Sequence, residues 1–300
     1  MLDKPPYLFG VDLGGSKIEL AVLDQDKRVF FRERVPTEQH LGFEHILSKI
    51  TLLFNRAVAA VNYKPAKMGI GIPGCLENGL VKNANTQCLN GQAFEALIAE
   101  QLEIHICVEN DANCFVKAET ILGELDKENN SILGLIIGTG VGSGLFINGN
   151  VVSGKHGIAG EWGHNAMPIQ ADTVQKKCYC GKMGCIETIL SGPALSQYHY
   201  EKTGNQLPVE LINYQAQQGN KSCQSTLQYW YRHFLAALSQ VINIIDPDII
   251  LVGGGLGNLD CIYDSVKQDL NRYIFTQEFT GKIIPPKLGD SAGVFGAALL

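Results

Sequence analysis

The most specific chemical signal in the chain is a set of three cysteines and a histidine. Gly163-His164 is followed, after thirteen residues, by Cys178-Tyr-Cys180-Gly-Lys-Met-Gly-Cys185. Cys178 and Cys180 are one residue apart, too close for an unstrained disulfide with each other. Gly181 and Gly184 let the chain curl, so that Cys185 faces the same point. Three thiolates and one imidazole complete a closed tetrahedral Zn2+ site of the structural kind. Such a site adds folding free energy because the unfolded chain cannot preform it. His156 competes with His164 for the fourth position.

A second group, Glu109-Asn110-Asp111-Ala-Asn113, stands where an apolar strand gives way to a helix. Strand ends are where α/β proteins bind ligands. A sugar hydroxyl is a poor nucleophile, and its attack on a γ-phosphoryl group calls for a carboxylate that accepts the proton as the bond forms. Asp111 suits that task; it equally suits a plain helix N-cap. Asn110 offers both a donor and an acceptor to adjacent hydroxyls. Glu161, His164 and Glu187 add acceptors near the expected zinc, and Asn83, Asn85 and Asn90 make an amide-rich loop. Amides and carboxylates that grip vicinal hydroxyls are what a carbohydrate site needs.

Four glycine-rich turns follow apolar strands: Gly10-Val-Asp-Leu-Gly-Gly-Ser-Lys17, Gly69-Ile-Gly-Ile-Pro-Gly74, Gly138-Thr-Gly-Val-Gly-Ser-Gly144 and Gly253-Gly-Gly255. Glycine at a strand end lets backbone N–H groups approach an anion, and four such turns favour phosphate binding over simple chain reversal. Neither common phosphate motif fits. A P-loop needs Gly-Lys-Ser/Thr, whereas Ser16 precedes Lys17 here. Residues 69–74 match G-x-G-x-x-G, but the residues after Pro73 supply no helix to receive a pyrophosphate. Asp12 would repel a phosphate unless a divalent cation lay between them, which makes it a Mg2+ partner through water; capping the turn is the alternative.

These groups need strand ends to present them, and the hydrophobic pattern supplies those. Strands are expected at Tyr7–Leu13, Ile18–Leu23, Arg28–Val35, Met68–Ile72, Ile104–Val108, Ser131–Ile137, Gly144–Ile147 and Asp248–Val252. Helices are expected at Phe43–Val61, Ala93–Leu102, after Asp111 as its cap to about Leu122, and at Thr226–Ile245, Leu259–Ile274 and Ala292–Leu300. The alternation predicts an α/β protein of two domains with a cleft between them, residues 1–118 plus 289–300 and residues 119–288. Three hundred residues, 45% hydrophobic and 18% charged, suit two packed cores. A formal charge of −6, with no Lys/Arg run longer than a pair, argues against nucleic acid or an acidic membrane surface as partner. No apolar run reaches the roughly 20 residues that span a bilayer. The N-terminal stretch lacks a signal-peptide pattern, and an odd, clustered set of nine cysteines fits a reducing cytoplasm.

Taken together, these residues resemble the ROK family (repressor, open reading frame, kinase) of sugar kinases along nearly the whole chain. Asp12-Leu-Gly-Gly-Ser-Lys17 is similar to the family's first phosphate motif, Gly138-Thr-Gly-Val-Gly142 to its second, and Gly253-Gly-Gly255 to its nucleotide-side turn. Ala159-Gly-Glu-Trp-Gly-His164 with Cys178-x-Cys-Gly-x-x-Gly-Cys185-x-Glu187 resembles its zinc and sugar signature. The resemblance implies the actin-like ATPase (ribonuclease H-like) fold, with two domains closing on ATP and sugar and the last helix returning to the first domain. It implies Asp111 as general base and Asn85, Asn110, Glu161, His164 and Glu187 as sugar contacts. ATP and Mg2+ would meet Asp12, Gly14, Gly15, Ser16, Lys17, Gly138, Thr139, Gly140, Gly253, Gly254 and Gly255. Structural zinc would take His164, Cys178, Cys180 and Cys185, with one nitrogen of His164 left for the sugar. A homodimer is usual among such proteins.

Gly71-Ile-Pro-Gly74, Val81-Lys-Asn-Ala-Asn85 and Leu89-Asn-Gly-Gln92 look most like the bacterial fructokinase/mannokinase branch, although Cys88 stands where a Trp is expected. The expected activity is phosphorylation of fructose or mannose, or of glucose, at the C6 hydroxyl, with N-acetylglucosamine kinase as the alternative. The family's repressors carry a winged helix-turn-helix ahead of the kinase-like part, and only nine residues precede Gly10, which disfavours that reading.

Overall fold

The computed structural model describes residues 6–125, 130–169, 176–264 and 266–300. It divides into two compact units, Met1–Glu128 with Gly144–Ala159 and Lys287–Leu300, and Asn129–Ser143 with Gly160–Pro286. Compared with the expected boundary, the first unit keeps all of the helix that starts at Asp111 and also takes the segment after Ser143.

The first unit is built on a five-stranded sheet. β1 (Tyr7–Leu13), β2 (Lys17–Asp24) and β3 (Val29–Pro36) form an antiparallel meander, and β4 (Lys67–Ile72) and β7 (His105–Asn110) extend it in parallel on the other side of β1. β2 is almost wholly buried in the middle of the sheet, including Glu19, whose carboxylate is paired with Arg34. Helix α1 (Phe43–Val61) turns Phe43, Ile46, Leu47, Ile50, Leu53 and Phe54 into the core, the face that its i, i+3, i+4 spacing predicts. Asn62, in left-handed conformation at φ 49°, ends it. Between β4 and α2 (Phe94–Leu102) lies a small hairpin, β5 (Cys75–Glu77) and β6 (Leu80–Lys82), so Pro73-Gly74 indeed opens no helix.

Helix α3 (Asp111–Leu122) packs on α10 (Ala292–Ala298). That contact requires glycine, since a Cβ on Gly296 would lie 1.7 Å from the Cys114 carbonyl oxygen, and α10 meets β1 as closely, where a Cβ on Gly10 would lie 2.3 Å from the Ala298 nitrogen. The incoming segment is anchored by Glu119, a buried carboxylate that accepts the backbone N–H groups of Lys287 and Leu288 at 2.8 Å each.

The second sheet repeats the order of the first. β8 (Ser131–Ile137), β9 (Val141–Ile147) and β10 (Asn150–Val151) lie to one side, and β11 (Ile249–Gly253) and β12 (Lys282–Ile284) continue in parallel from β8. β9 begins at Val141 rather than Gly144, so Gly142 belongs to the strand and the turn before it is shorter than the glycine spacing suggested. The helices are α4 (Glu187–Leu190), α5 (Gly192–Thr203), α6 (Val209–Gln217) and α7 (Lys221–Ile245). Within the stretch expected as one helix over Leu259–Ile274, helix is described at α8 (Cys261–Asp264) and α9 (Val266–Leu270), and residue 265 lies outside the described residues. Among the described residues no helix is long and apolar enough to cross a membrane.

Candidate active site and metal centre

In the first unit, Asp12 sits near the end of β1, opposite Gly71 of β4 in the strand register. Gly293 makes room for it, since a Cβ there would stand 3.1 Å from the Asp12 carboxylate. Burial, followed by the Asp111 charge, pushes the Asp12 carboxyl up to about 7. In the turn after β1, carbonyl oxygens are taken by donors beyond β3. Thr37 donates its hydroxyl to Gly14 O at 2.7 Å and its N–H to Ser16 O at 3.0 Å, and the Gln39 amide donates to Gly15 O at 3.2 Å. Oxygens that would repel a phosphate are thereby engaged.

Lys17 donates to the Asp290 carboxylate at 3.1 Å, and Arg34 bridges Asp290 at 3.0 Å to the buried Glu19 at 2.8 Å. Arg34 and then Lys17 hold the Asp290 carboxyl down to about 2. Asn85 lies beside the same turn, its Oδ1 3.9 Å from where a Gly15 Cβ would be. Asn90, by contrast, is spent on the loop, with its side chain exchanging hydrogen bonds with the Ala84 N–H and carbonyl at 2.9 Å each.

β7 delivers Asn110 and α3 begins with Asp111. The N-cap is Asn110 rather than Asp111: its extended backbone lets Oδ1 accept from Ala112 N–H at 2.9 Å and Asn113 N–H at 3.4 Å, while its amide donates to Gly74 O at 2.9 Å. Asp111, the first residue of the helix, also accepts the Ala112 N–H through Oδ1 at 2.8 Å. Beneath them is a residue whose function the sequence reading missed. Glu109 accepts from the Asn110 N–H at 2.8 Å, from the Asn113 amide at 3.0 Å and from the Ser153 hydroxyl. Ser153 is 44 residues away in sequence, and no local pattern signals that pairing.

In the second unit the two remaining glycine turns meet. The site of a Gly138 Cβ is 3.9 Å from Gly255 N, and Gly254, at φ 81°, would drive a Cβ to 2.4 Å from Ile137 O. Gly138 O accepts the N–H of Gly192, the first residue of α5, at 2.8 Å. Glu187, at the start of α4, accepts Val141 N–H at 2.9 Å and faces Cys178 Sγ at 3.8 Å, linking the Gly138–Gly140 turn to the cysteine cluster. Burial and the Glu187 charge raise the Glu161 carboxyl.

Cys178, Cys180, Cys185 and His164 bring one ligand atom each to within 4.8 Å of all the others. His164 Nδ1 is 3.5 Å from Cys178 Sγ, and Cys180 Sγ is 3.6 Å from Cys185 Sγ. Those separations match the edge of a Zn2+ tetrahedron with thiolate ligands, about 3.8 Å. His156 is exposed and outside the cluster, so the donor set is the one with His164. Gly181 at φ 91° and Gly184 at φ 70° make the curl. Burial, with the neighbouring thiols, pushes Cys185 up to about 12 when no cation compensates. His164 turns its other nitrogen, Nε2, to the Tyr179 hydroxyl at 3.0 Å, with Glu161 Oε2 at 3.8 Å. Tyr179, between two of the cysteines, is a second residue the sequence reading passed over.

Comparison with known proteins agrees with this architecture. The ROK family matches residues 8–300. N-acetyl-D-glucosamine kinase of Salmonella typhimurium (strain LT2) is 33% identical over 302 residues, covering 97% of this chain and 98% of that protein. Among solved structures, ROK hexokinase from Thermus thermophilus superposes with a TM-score of 0.82 at 26% identity, covering 98% of this chain and 97% of that one. A ROK family glucokinase from Streptomyces griseus, in complex with glucose and AMPPNP, gives 0.78 at 25% identity, with 97% and 98% covered.

Proposed function

Because the chain belongs to the ROK family and is a sugar kinase, we propose that it transfers the γ-phosphoryl group of ATP to the C6 hydroxyl of a hexose, with Asp111 as general base. The observation that carries this reading is the placement of Asp111 in the first turn of α3, beside Asp12, where the two carboxyls feel each other's charge. As the sugar oxygen bonds to Pγ, its proton passes to the Asp111 carboxylate and the Pγ–O bond to ADP breaks. Asn85, Asn110, Glu161, His164 and Glu187 would orient the sugar hydroxyls. Asp12 with Gly14, Gly15, Ser16 and Lys17, and Gly138, Thr139 and Gly140 with Gly253, Gly254 and Gly255, would hold the nucleotide phosphates.

Asp12 suits a Mg2+ ion reached through water: its buried carboxyl sits beside a second acid, and a divalent cation would relieve that charge. Bound Mg2+ neutralises phosphate charge. Zn2+ held by His164, Cys178, Cys180 and Cys185 would serve the fold and fix the ring of His164. Fructose or mannose, or glucose, is the substrate this reading expects. The 33% identity to N-acetyl-D-glucosamine kinases favours the 2-acetamido sugar as a second reading. A homodimer belongs to the same reading; the exposed Ile244 and Phe275, 80% and 98% accessible, suit an apolar contact between copies.

The test is an ADP-release assay with Mg2+ over fructose, mannose, glucose and N-acetylglucosamine. Sugar-stimulated ADP release with a 6-phosphate product is expected, and its absence with every hexose would overturn the proposal.

A further inference from the structure

In the second unit, α5, α7 and the end of α9 line a cavity of about 420 Å³ that shares no residue with the glycine turns or the cysteine cluster. Tyr198 reaches it from α5, six residues and so about 9 Å along the helix from Gly192, whose N–H meets Gly138 O. Gln228, Arg232 and Leu235, at i, i+4 and i+7, bring one face of α7 to it. Arg272 and Asp269 come from α9 and the turn that follows, and the Asp269 carboxylate is held by the Tyr231 hydroxyl at 3.1 Å. Two buried rings, Tyr198 and Tyr229, stack with centroids 3.7 Å apart at 8°. Their outer faces are covered too, that of Tyr198 by the Lys202 ammonium at 5.5 Å and that of Tyr229 by the His233 ring at 4.2 Å. These rings therefore offer the cavity their edges, and a planar base finds no face on them.

We propose that this cavity binds a sugar phosphate, as a site separate from the one read for catalysis. Arg232 and Arg272, both exposed and carried by different elements, present guanidinium forks that match the oxygens of a phosphate monoester. Asp269 is the single carboxylate among the described lining residues, so the cavity is net cationic in a chain of charge −6. That carboxylate, with the amide of Gln228, accepts and donates to ring hydroxyls and opposes a longer polyphosphate. The volume lies at the lower end of the roughly 300–1,000 Å³ of small-molecule sites, which suits one ring and one phosphate. A contact between copies is better served by the protruding apolar Ile244 and Phe275 than by this polar hollow. Binding here does not depend on the kinase reading, because none of these residues is read as touching ATP or the reacting hydroxyl.

The experiment is calorimetric titration of the wild type, Arg232→Glu and Arg272→Glu with the 6-phosphates of glucose, fructose and N-acetylglucosamine, and with inorganic phosphate, glucose and AMP as comparison probes. Any binding at the expected active site is common to the three proteins, so the reading is the difference between them. One binding step per chain is expected in the wild type, weakened about tenfold or more in either variant. Inorganic phosphate, glucose and AMP should each bind that step about tenfold more weakly than the preferred sugar phosphate. Should a glutamate variant melt lower than wild type, Arg272→Gln, which removes the charge without adding one, gives the same reading. Isotherms alike in all the proteins would overturn the proposal, as would inorganic phosphate or AMP binding as tightly as every sugar phosphate. Variants that change the sedimentation of the protein but not its binding would overturn it in favour of a contact between copies. A wild type that shows the arginine-dependent step yet phosphorylates no hexose would support this site while overturning the kinase reading.

Discussion

The Asp111 charge is, after burial, the strongest influence lifting the Asp12 carboxyl to about 7. Two acids therefore share one strand-end region of the first unit, where Gly71 and Gly293 supply the room that side chains would have taken. An arrangement that opposes its own ionisation is poised to be relieved by a cation.

Folding stability should record that opposition. Between about pH 4 and pH 7 the unfolded chain has lost the Asp12 proton and the folded chain keeps it, so stability falls as pH rises through this window and levels off above it. Asp12→Asn should melt higher than wild type at pH 8, without divalent cations, and at the same temperature near pH 4. Melting curves at both pH values check this; a variant less stable at pH 8 would contradict it.

Asp111→Asn should cut kcat by about 10²- to 10⁴-fold. The substitution keeps an oxygen for the Ala112 N–H that Oδ1 accepts at 2.8 Å, so the fold should survive. Calorimetric titration with hexose should give an affinity within a few-fold of wild type, and near-normal turnover would remove Asp111 from the chemistry.

Glu109 accepts Asn110 N–H and the Asn113 amide on Oε1 and the Ser153 hydroxyl on Oε2, and Glu109→Gln would keep one of these oxygens while setting an NH2 donor in place of the other. A loss of about 1–3 kcal/mol in unfolding free energy is expected from denaturant titration. A fall in kcat of about tenfold should accompany it, because the start of α3 is displaced. Ser153→Ala removes one donor and should do less of both.

Metal analysis should find one zinc per chain, lost in Cys185→Ser together with thermal stability and retained in His156→Ala. Wild-type protein that is metal-free yet equally stable would exclude the site.

Much of this was open to a reader of the sequence. The spans of β1 and α1 followed from apolar periodicity, and the gathering of His164 with Cys178, Cys180 and Cys185 from cysteine spacing with two glycines between. Helices α5 and α6 were not anticipated. The inward face of α5 includes Tyr198 and His199, with His199 hydrogen-bonded to Thr226 at 2.8 Å, a polar interior that apolar periodicity does not register. The missed site residues fail for a related reason. Glu109 matters through Ser153, and Tyr179 through His164, and both pairings exist only once distant segments have come together.

Gly296→Ala tests the tightest such meeting. With the added carbon 1.7 Å from the Cys114 carbonyl oxygen, helix α10 must shift away from α3, and soluble expression should drop sharply. Full yield with an unchanged melting temperature would mean that α10 packs otherwise.

The anchoring of residues 287–300 by Glu119 also sets a timetable for the newborn chain. A ribosome releases β1 to α3 long before it reaches the helix of small residues that packs against them, so the opening half of the molecule must wait, partly bare, while everything from 160 to 286 is made. Chaperone dependence during synthesis, and its relief when α10 is supplied separately as a peptide, would be the visible signs of that delay.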